Sequence, residues 1–219
     1  MASGPPGVRV LGDELNVFRR EASSGHSASA YFVGKMVSVL PRIMLVALHF
    51  AAIFTLGCAP RVSFSVIYVF CVLLSYNVYG LSAVVSGIAT RANAALIAAI
   101  IAMALGSLCG YSPTLNDTSI LRFFYASWGV EAIYSKEVSA WEELYDIEYS
   151  RRKFGFVLHQ VQFDFFMMAV IGTMYRVIAF LIITRPHGVL TLPFKAPTTL
   201  ALEKIEGESG GLLVEDAQP

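Results

Sequence analysis

Polar and apolar positions are not interleaved along this chain; they come in blocks. Residues 1–30 are polar, opening on MASGPPG, which reads as disordered, and continuing as the helix-like stretch DELNVFRREASSG. Charge then nearly vanishes through four apolar blocks. The first is Phe32 to Ala59, with Lys35, Pro41 and Arg42 in its first third; the second is Val62 to Thr90, uncharged for 29 residues. The third runs from Ala92 to about Tyr111 and is broken by Pro113; the fourth, Phe156 to Thr184, holds Asp164 near one end and Arg176 in its body. About 20 apolar residues rising 1.5 Å each cross a hydrocarbon core. The pattern therefore predicts an all-α membrane protein with four transmembrane helices.

The connections are uneven. CAPR, residues 58–61, makes a short turn in which Pro60 and Arg61 stop the first span, and Arg91 sits alone between the second and third. A polar loop of about 40 residues, Asn116 to Gly155, separates the third span from the fourth and carries its own helical segment, ILRFFYASWGVEAIYSKEV. Its aromatic residues (Phe123, Phe124, Tyr125, Trp128 and Tyr134) suit a helix resting at the headgroup level. The tail beyond Arg185, rich in Gly, Pro, Thr and acids, reads as disordered. The layout is thus a cytoplasmic segment over 1–30, a membrane domain over 31–185 and a disordered cytoplasmic tail over 186–219.

Four spans put both termini on one side. That side holds nine basic residues (Arg9, Arg19, Arg20, Lys35, Arg42, Arg91, Arg185, Lys195 and Lys204); the other holds six (Arg61, Arg122, Lys136, Arg151, Arg152 and Lys153). The bias places the termini in the cytoplasm. No basic-then-apolar leader precedes the first span, so insertion is expected to rely on that span.

Composition agrees with the pattern. The chain is 56% hydrophobic and 15% charged, against about 25% charged in ordinary soluble domains, and its mean hydropathy is +0.62. A formal net charge of zero gives no reason to expect a nucleic-acid partner. Cys58, Cys71 and Cys109 lack CxxC spacing, and His26, His49, His159 and His187 are scattered, so neither a metal site nor a Ser–His–Asp set is expected. Gly34-Lys35 is followed by Met36 and lacks the upstream Gly of a phosphate-cradling loop, so no ATP-binding motif is present.

Isolated polar residues inside apolar blocks are the remaining candidates. An arginine in the body of a span costs about 2.5–3.5 kcal/mol on insertion scales, so Arg176 should face protein or water. It either pairs with a polar group inside the bundle or touches substrate. Asp164, twelve residues away and so about 18 Å along a helix, cannot be its direct partner. His49 is expected to hydrogen-bond between helices rather than carry protons. Asn77 and Tyr79 suit scaffold hydrogen bonds, or else the lining of a cavity. Ala94, Ala98, Ala102, Gly106 and Gly110 form a row spaced by four, which either lets another helix approach closely or follows by chance from an Ala-rich helix.

Three segments carry a family resemblance. ELNVFRREASSGHSASAYFVGK resembles the segment E-R-x-x-F-x-R-E-…-G-…-A-Y-F-…-K of the G subfamily of ABC transporters, the white–brown-complex-like half transporters, in the plant and protist variant. Glu14, Phe18, Arg20, Glu21, Gly25, Tyr31, Phe32 and Lys35 match, while Leu15 stands where the family has Arg. FYASWGVEAIYSKEV is similar to the family's piece after the fifth helix through Trp128, Glu131 and Ala132; MYRVIAFLIITR is similar to its last helix through Arg176, Ala179, Phe180 and Arg185. The similarity covers about residues 14–185 in the same order.

The resemblance implies that Glu14, Phe18, Arg20 and Glu21 belong to the cytoplasmic connection that couples to a nucleotide-binding domain. It implies that Trp128 and Glu131 lie in an extracellular re-entrant helix between the third and fourth spans. The helix bearing Ala98, Ala102, Gly106 and Gly110 would line the dimer interface and central cavity. By the same likeness, the protein is a multi-pass plasma-membrane exporter of lipid-like or amphipathic compounds. ATP and Mg would be bound by a nucleotide-binding domain or full-length G-subfamily subunit, in a homo- or heterodimer. A half transporter has an ATPase domain and six helices, and only the last four helices are matched here. The chain is therefore expected to be a truncated product, a fragment or one piece of a split transporter; the alternative is a non-transporting form that dimerises with full-length subunits and modulates them.

Overall fold

A computed structural model describes residues 4–12, 14, 17–18, 20–21, 24–109, 120–141 and 155–184. In chain order the elements are α1 (Gly4–Gly12), α2 (Ala28–Cys58), α3 (Phe64–Ile88), α4 (Arg91–Ser107), a 3-10 turn (Ile120–Phe123), α5 (Tyr125–Ser139) and α6 (Val161–Thr184). No strand occurs among the described residues. The expected tail over 186–219 and two stretches of the long connection, residues 110–119 and 142–154, lie outside them.

Among the described residues three helices are long and apolar enough to cross a membrane: α2, α3 and α6, with 31, 25 and 24 residues. The third apolar block falls short of its expected length. α4 has 17 residues, about 25 Å at 1.5 Å per residue, and ends at Ser107 with Leu108 no longer helical. Gly106 lies in its last turn, and glycine costs a helix roughly 1 kcal/mol relative to alanine.

The other boundaries also have local causes. α2 starts at Ala28 because the Ser27 hydroxyl accepts the Ala30 N–H at 3.4 Å, and it ends where Ala59 turns left-handed (φ 44°) ahead of Pro60. It runs through Pro41, as membrane helices often do. α6 begins at Val161 rather than Phe156, since Gly155 and His159 both take φ 68° and interrupt helical geometry. One correction concerns the opening MASGPPG, expected to be disordered: a helix already begins at Gly4. Pro5 and Pro6 occupy its first turn, where the missing N–H groups cost nothing. Val8 is then buried against Val85, Ala89, Ala94 and Ala98.

α3 is the central helix, touching α1, α2, α4, α5 and α6. From Asn77 to Gly87 all but one of its residues are buried, so its second half is enclosed on every side. α2 differs. Leu45, Phe50, Ile53 and Leu56 are 59–86% exposed along its length, an apolar surface that lipid tolerates and water does not.

The α3–α6 seam is close because both sides supply glycine. A Cβ on Gly172 would sit 2.6 Å from the Tyr76 ring, and one on Gly80 would sit 3.1 Å from the Gly172 carbonyl oxygen. Gly172→Ala is expected to cost about 1–3 kcal/mol by forcing the seam apart. A lowered midpoint in detergent thermal unfolding checks this; an unchanged midpoint counts against the packing described.

Candidate functional site

The α1–α2 connection is fastened to the bundle by two of its expected coupling residues. Glu14 forms an ion pair with Lys35 and accepts the Tyr31 hydroxyl at 2.7 Å. Phe18 is 6% exposed; its ring lies 5.2 Å from Tyr31, and it clusters with Phe32, Ala83, Ala179 and Ile183, so α2, α3 and α6 all hold it. The Phe18 N–H donates to the Glu14 carbonyl at 2.9 Å. Arg20 is exposed and Glu21 half-buried on the chain just beyond. Tyr31 and Lys35, matched earlier only as parts of a motif, are thus the anchors of the segment.

The Lys35 ammonium first, and the Tyr31 hydroxyl second, hold the Glu14 carboxyl below its ordinary range. A depressed acid stabilises the folded arrangement above its unfolded pKa and loses that contribution as pH falls through the lowered one. The Glu14 side chain is 45% exposed, so the tie is worth less than about 1 kcal/mol. A thiol introduced by Val17→Cys, its labelling rate divided by that of a free cysteine peptide at the same pH so that thiolate ionisation cancels, should therefore show a constant relative rate from neutral to mildly acidic pH. That relative rate should rise a fewfold only below the ordinary carboxylate range, and be raised at all pH values in a Glu14→Gln background. A relative rate that rises with pH would contradict the arrangement.

Inside the bundle, two expected polar residues lie on the α3–α6 seam, each with its own partners. Asn77 is fully buried and its Nδ2 donates to the Leu73 carbonyl at 2.9 Å and, across the seam, to the Met168 carbonyl at 3.0 Å. Arg176, 9% exposed, donates from Nη1 to the Gly172 carbonyl at 2.8 Å and stacks its guanidinium 3.4 Å above the Tyr76 ring. It is held by a carbonyl and an aromatic face. Asp164 lies elsewhere, buried at the far end of α6, with Oδ2 lacking a hydrogen-bond partner among the described residues. His49, expected between helices, instead lies on the exposed side of α2. Ala94, Ala98 and Ala102 are buried within this chain against α1, α3 and Tyr125 of α5; Gly106 is half-buried and Gly110 lies outside the described residues.

At the opposite end from Glu14, α5 ties the helix ends together. Glu131 is 3% exposed; its carboxylate accepts from Arg122 at 3.2 and 3.5 Å and from the Val157 N–H at 2.5 Å. The Arg122 carbonyl accepts the Trp128 indole N–H at 2.7 Å, while the Arg122 guanidinium lies 4.7 Å from the Trp128 ring. Trp128 also meets Phe163 of α6 edge-on at 5.7 Å. One turn on, the Ser135 hydroxyl accepts the His159 N–H at 2.9 Å, and Glu137 accepts the N–H groups of Arg61 (3.1 Å) and Val62 (3.2 Å) in the α2–α3 turn. Sequence reasoning singled out Trp128 and Glu131 but passed over Ser135 and Glu137. Ser135 lies four residues after Glu131 on the same face of α5, a spacing that could have marked it, whereas Glu137, two residues further on, carries no such signal.

Comparison with known proteins agrees with this architecture. A family model described as ABC-2 type transporter matches residues 7–187. Over 153 residues the chain is 35% identical to the ABC-type transporter claG of Penicillium crustosum, an alignment covering 67% of this chain. It takes in 21% of that protein, so the chain spans about a fifth of the length of the curated relative. The all-helical bundle, its three spanning-length helices and a family match over most of its length together establish a multi-pass membrane protein that belongs to the ABC-2 type transporter family.

Proposed function

We propose that this chain is the C-terminal part of a G-subfamily membrane domain, exporting lipid-like or amphipathic compounds across the plasma membrane. ATP, with Mg, supplies the energy on a nucleotide-binding domain outside these residues, and no side chain of this chain is assigned to the nucleotide. Both termini lie in the cytoplasm and α5 lies outside, as the nine-to-six basic bias favours. The domain works as one half of a homo- or heterodimer.

The observation that carries this reading is the anchoring of residues 14–21. Phe18 is wedged among α2, α3 and α6, Glu14 is tied to α2, and Arg20 is exposed directly beyond them. A push delivered at Arg20 and Glu21 is therefore transmitted to three helices at once. Rigid-body tilting of those helices would alternate access to the path between them, as packed interfaces switch between discrete arrangements rather than deform smoothly.

Arg20→Ala and Glu21→Ala test the coupling role. Both positions precede the first span, so membrane insertion should be unchanged while co-purification of the nucleotide-binding domain falls. Were these residues only a solvated face, each would be worth about 0–1 kcal/mol and the complex would survive. Full retention of the complex by both variants would remove the coupling role.

A further inference from the structure

Beside the α5 ties lies an open cleft of about 680 Å³, where the second half of α5, the turn before α6 and Val66 of α3 meet. That volume falls within the usual ligand-site range of about 300–1,000 Å³. Its walls divide by chemistry. Lys136 and Ser139 of α5, with His159, Gln160 and Gln162, form a polar side; Val66, Phe163 and Phe165 form an apolar one. Among the described residues no Asp or Glu lines it. The nearest carboxylates on α5 are committed elsewhere, Glu131 to Arg122 and Val157 and Glu137 to the α2–α3 turn. Among the described residues Lys136 has no ion-pair partner.

Two more features point the same way. His159 is held at φ 68°, unusual for a residue with a side chain, by its N–H bond to Ser135, and such strained positions gather at ligand clamps. Phe163 is 50% exposed, and the apolar surface it begins continues down α6 through Phe166 (62%) and Val170 (43%). A cationic pocket thus opens at the top of a lipid-exposed apolar strip.

We propose that this cleft receives the anionic headgroup of an amphiphile whose apolar tail lies along Phe163, Phe166 and Val170. Lys136 supplies the charge; the Ser139 hydroxyl and the Gln160 and Gln162 amides supply hydrogen bonds to the headgroup oxygens. The occupant is either an anionic lipid of the bilayer or a free amphiphile of the class proposed as cargo. The site extends the transport reading, but its test needs neither nucleotide nor partner, so it can fail while coupling stands.

The test uses the full chain in phosphatidylcholine nanodiscs, titrated with dodecyl phosphate and followed by tryptophan fluorescence, since Trp128 touches Phe163. A saturable change is expected with dodecyl phosphate and not with dodecyltrimethylammonium. Lys136→Gln, at an exposed position, should weaken binding about tenfold by removing a charge-assisted contact, and Phe163→Ala should weaken it through the tail. Competition from phosphatidylglycerol in the nanodisc identifies a bilayer lipid as occupant; its absence, with dodecyl phosphate still bound, identifies a free amphiphile. Equal responses to both detergents, or unchanged affinity in Lys136→Gln, would overturn the proposal.

Discussion

Replacing Glu131 with alanine is expected to destabilise the bundle by about 2–3 kcal/mol, the usual range for a charged hydrogen-bonding group removed from a buried site. The 3% exposed carboxylate accepts from the Arg122 guanidinium and from the Val157 N–H at 2.5 Å. Its loss strands a backbone donor in a partly buried position and releases the chain that leads into α6. Arg122 is 37% exposed on its side chain, so water recovers part of its charge, which is why the expected cost stays below the 3–5 kcal/mol of a fully buried broken pair. Glu131→Gln keeps an acceptor for Val157 and should recover roughly half of the loss. Thermal unfolding of the two variants in one detergent decides the matter. Equal midpoints for wild type and Glu131→Ala would mean that α5 does not fasten α6.

The second large effect has two signs. Arg176→Leu should favour insertion of α6 as an isolated segment by about 2.5–3.5 kcal/mol, because a guanidinium leaves the apolar core. The assembled bundle should respond in the opposite direction. The side chain loses a desolvated cation–π contact worth about 2 kcal/mol with Tyr76 and its hydrogen bond to Gly172. Leucine must also fit against Gly80, where a Cβ would already lie 2.9 Å from the present guanidinium nitrogen. A glycosylation-mapping insertion assay on the segment, beside thermal unfolding of the whole chain, should therefore move in opposite directions. If the variant gained in both, Arg176 would be a tolerated cost with no part in holding α3 to α6.

Membrane character was readable from the apolar blocks alone, because desolvation dominates every other contribution there. The three long spans follow directly from that. The third block shows where the reading stopped: Ala92 to Tyr111 has the composition of a span, but helix termination near Gly106 depends on local backbone preference, to which block hydropathy is blind. The early start of α1 was hidden for a related reason. Gly and Pro read as disorder until tertiary packing supplies Ser82 and Tyr79 as neighbours of Gly7. Arg176 was rightly denied Asp164 on distance, yet its partners, a carbonyl and a tyrosine face, carry no signature in a sequence. The same holds for Glu137, whose acceptors' partners are backbone N–H groups 75 and 76 residues away.

The central claim is that these helices form part of an ATP-driven path for amphipathic molecules, moved through residues 14–21. Its most direct test is uptake of a short-chain fluorescent phospholipid into inside-out vesicles that hold this membrane domain assembled with a nucleotide-binding domain. Uptake should require ATP and Mg, should be absent from vesicles lacking this chain, and should collapse in the Arg20→Ala, Glu21→Ala double variant although the protein is inserted at normal levels. Uptake that proceeds equally without ATP, or unchanged in the double variant, would contradict the account.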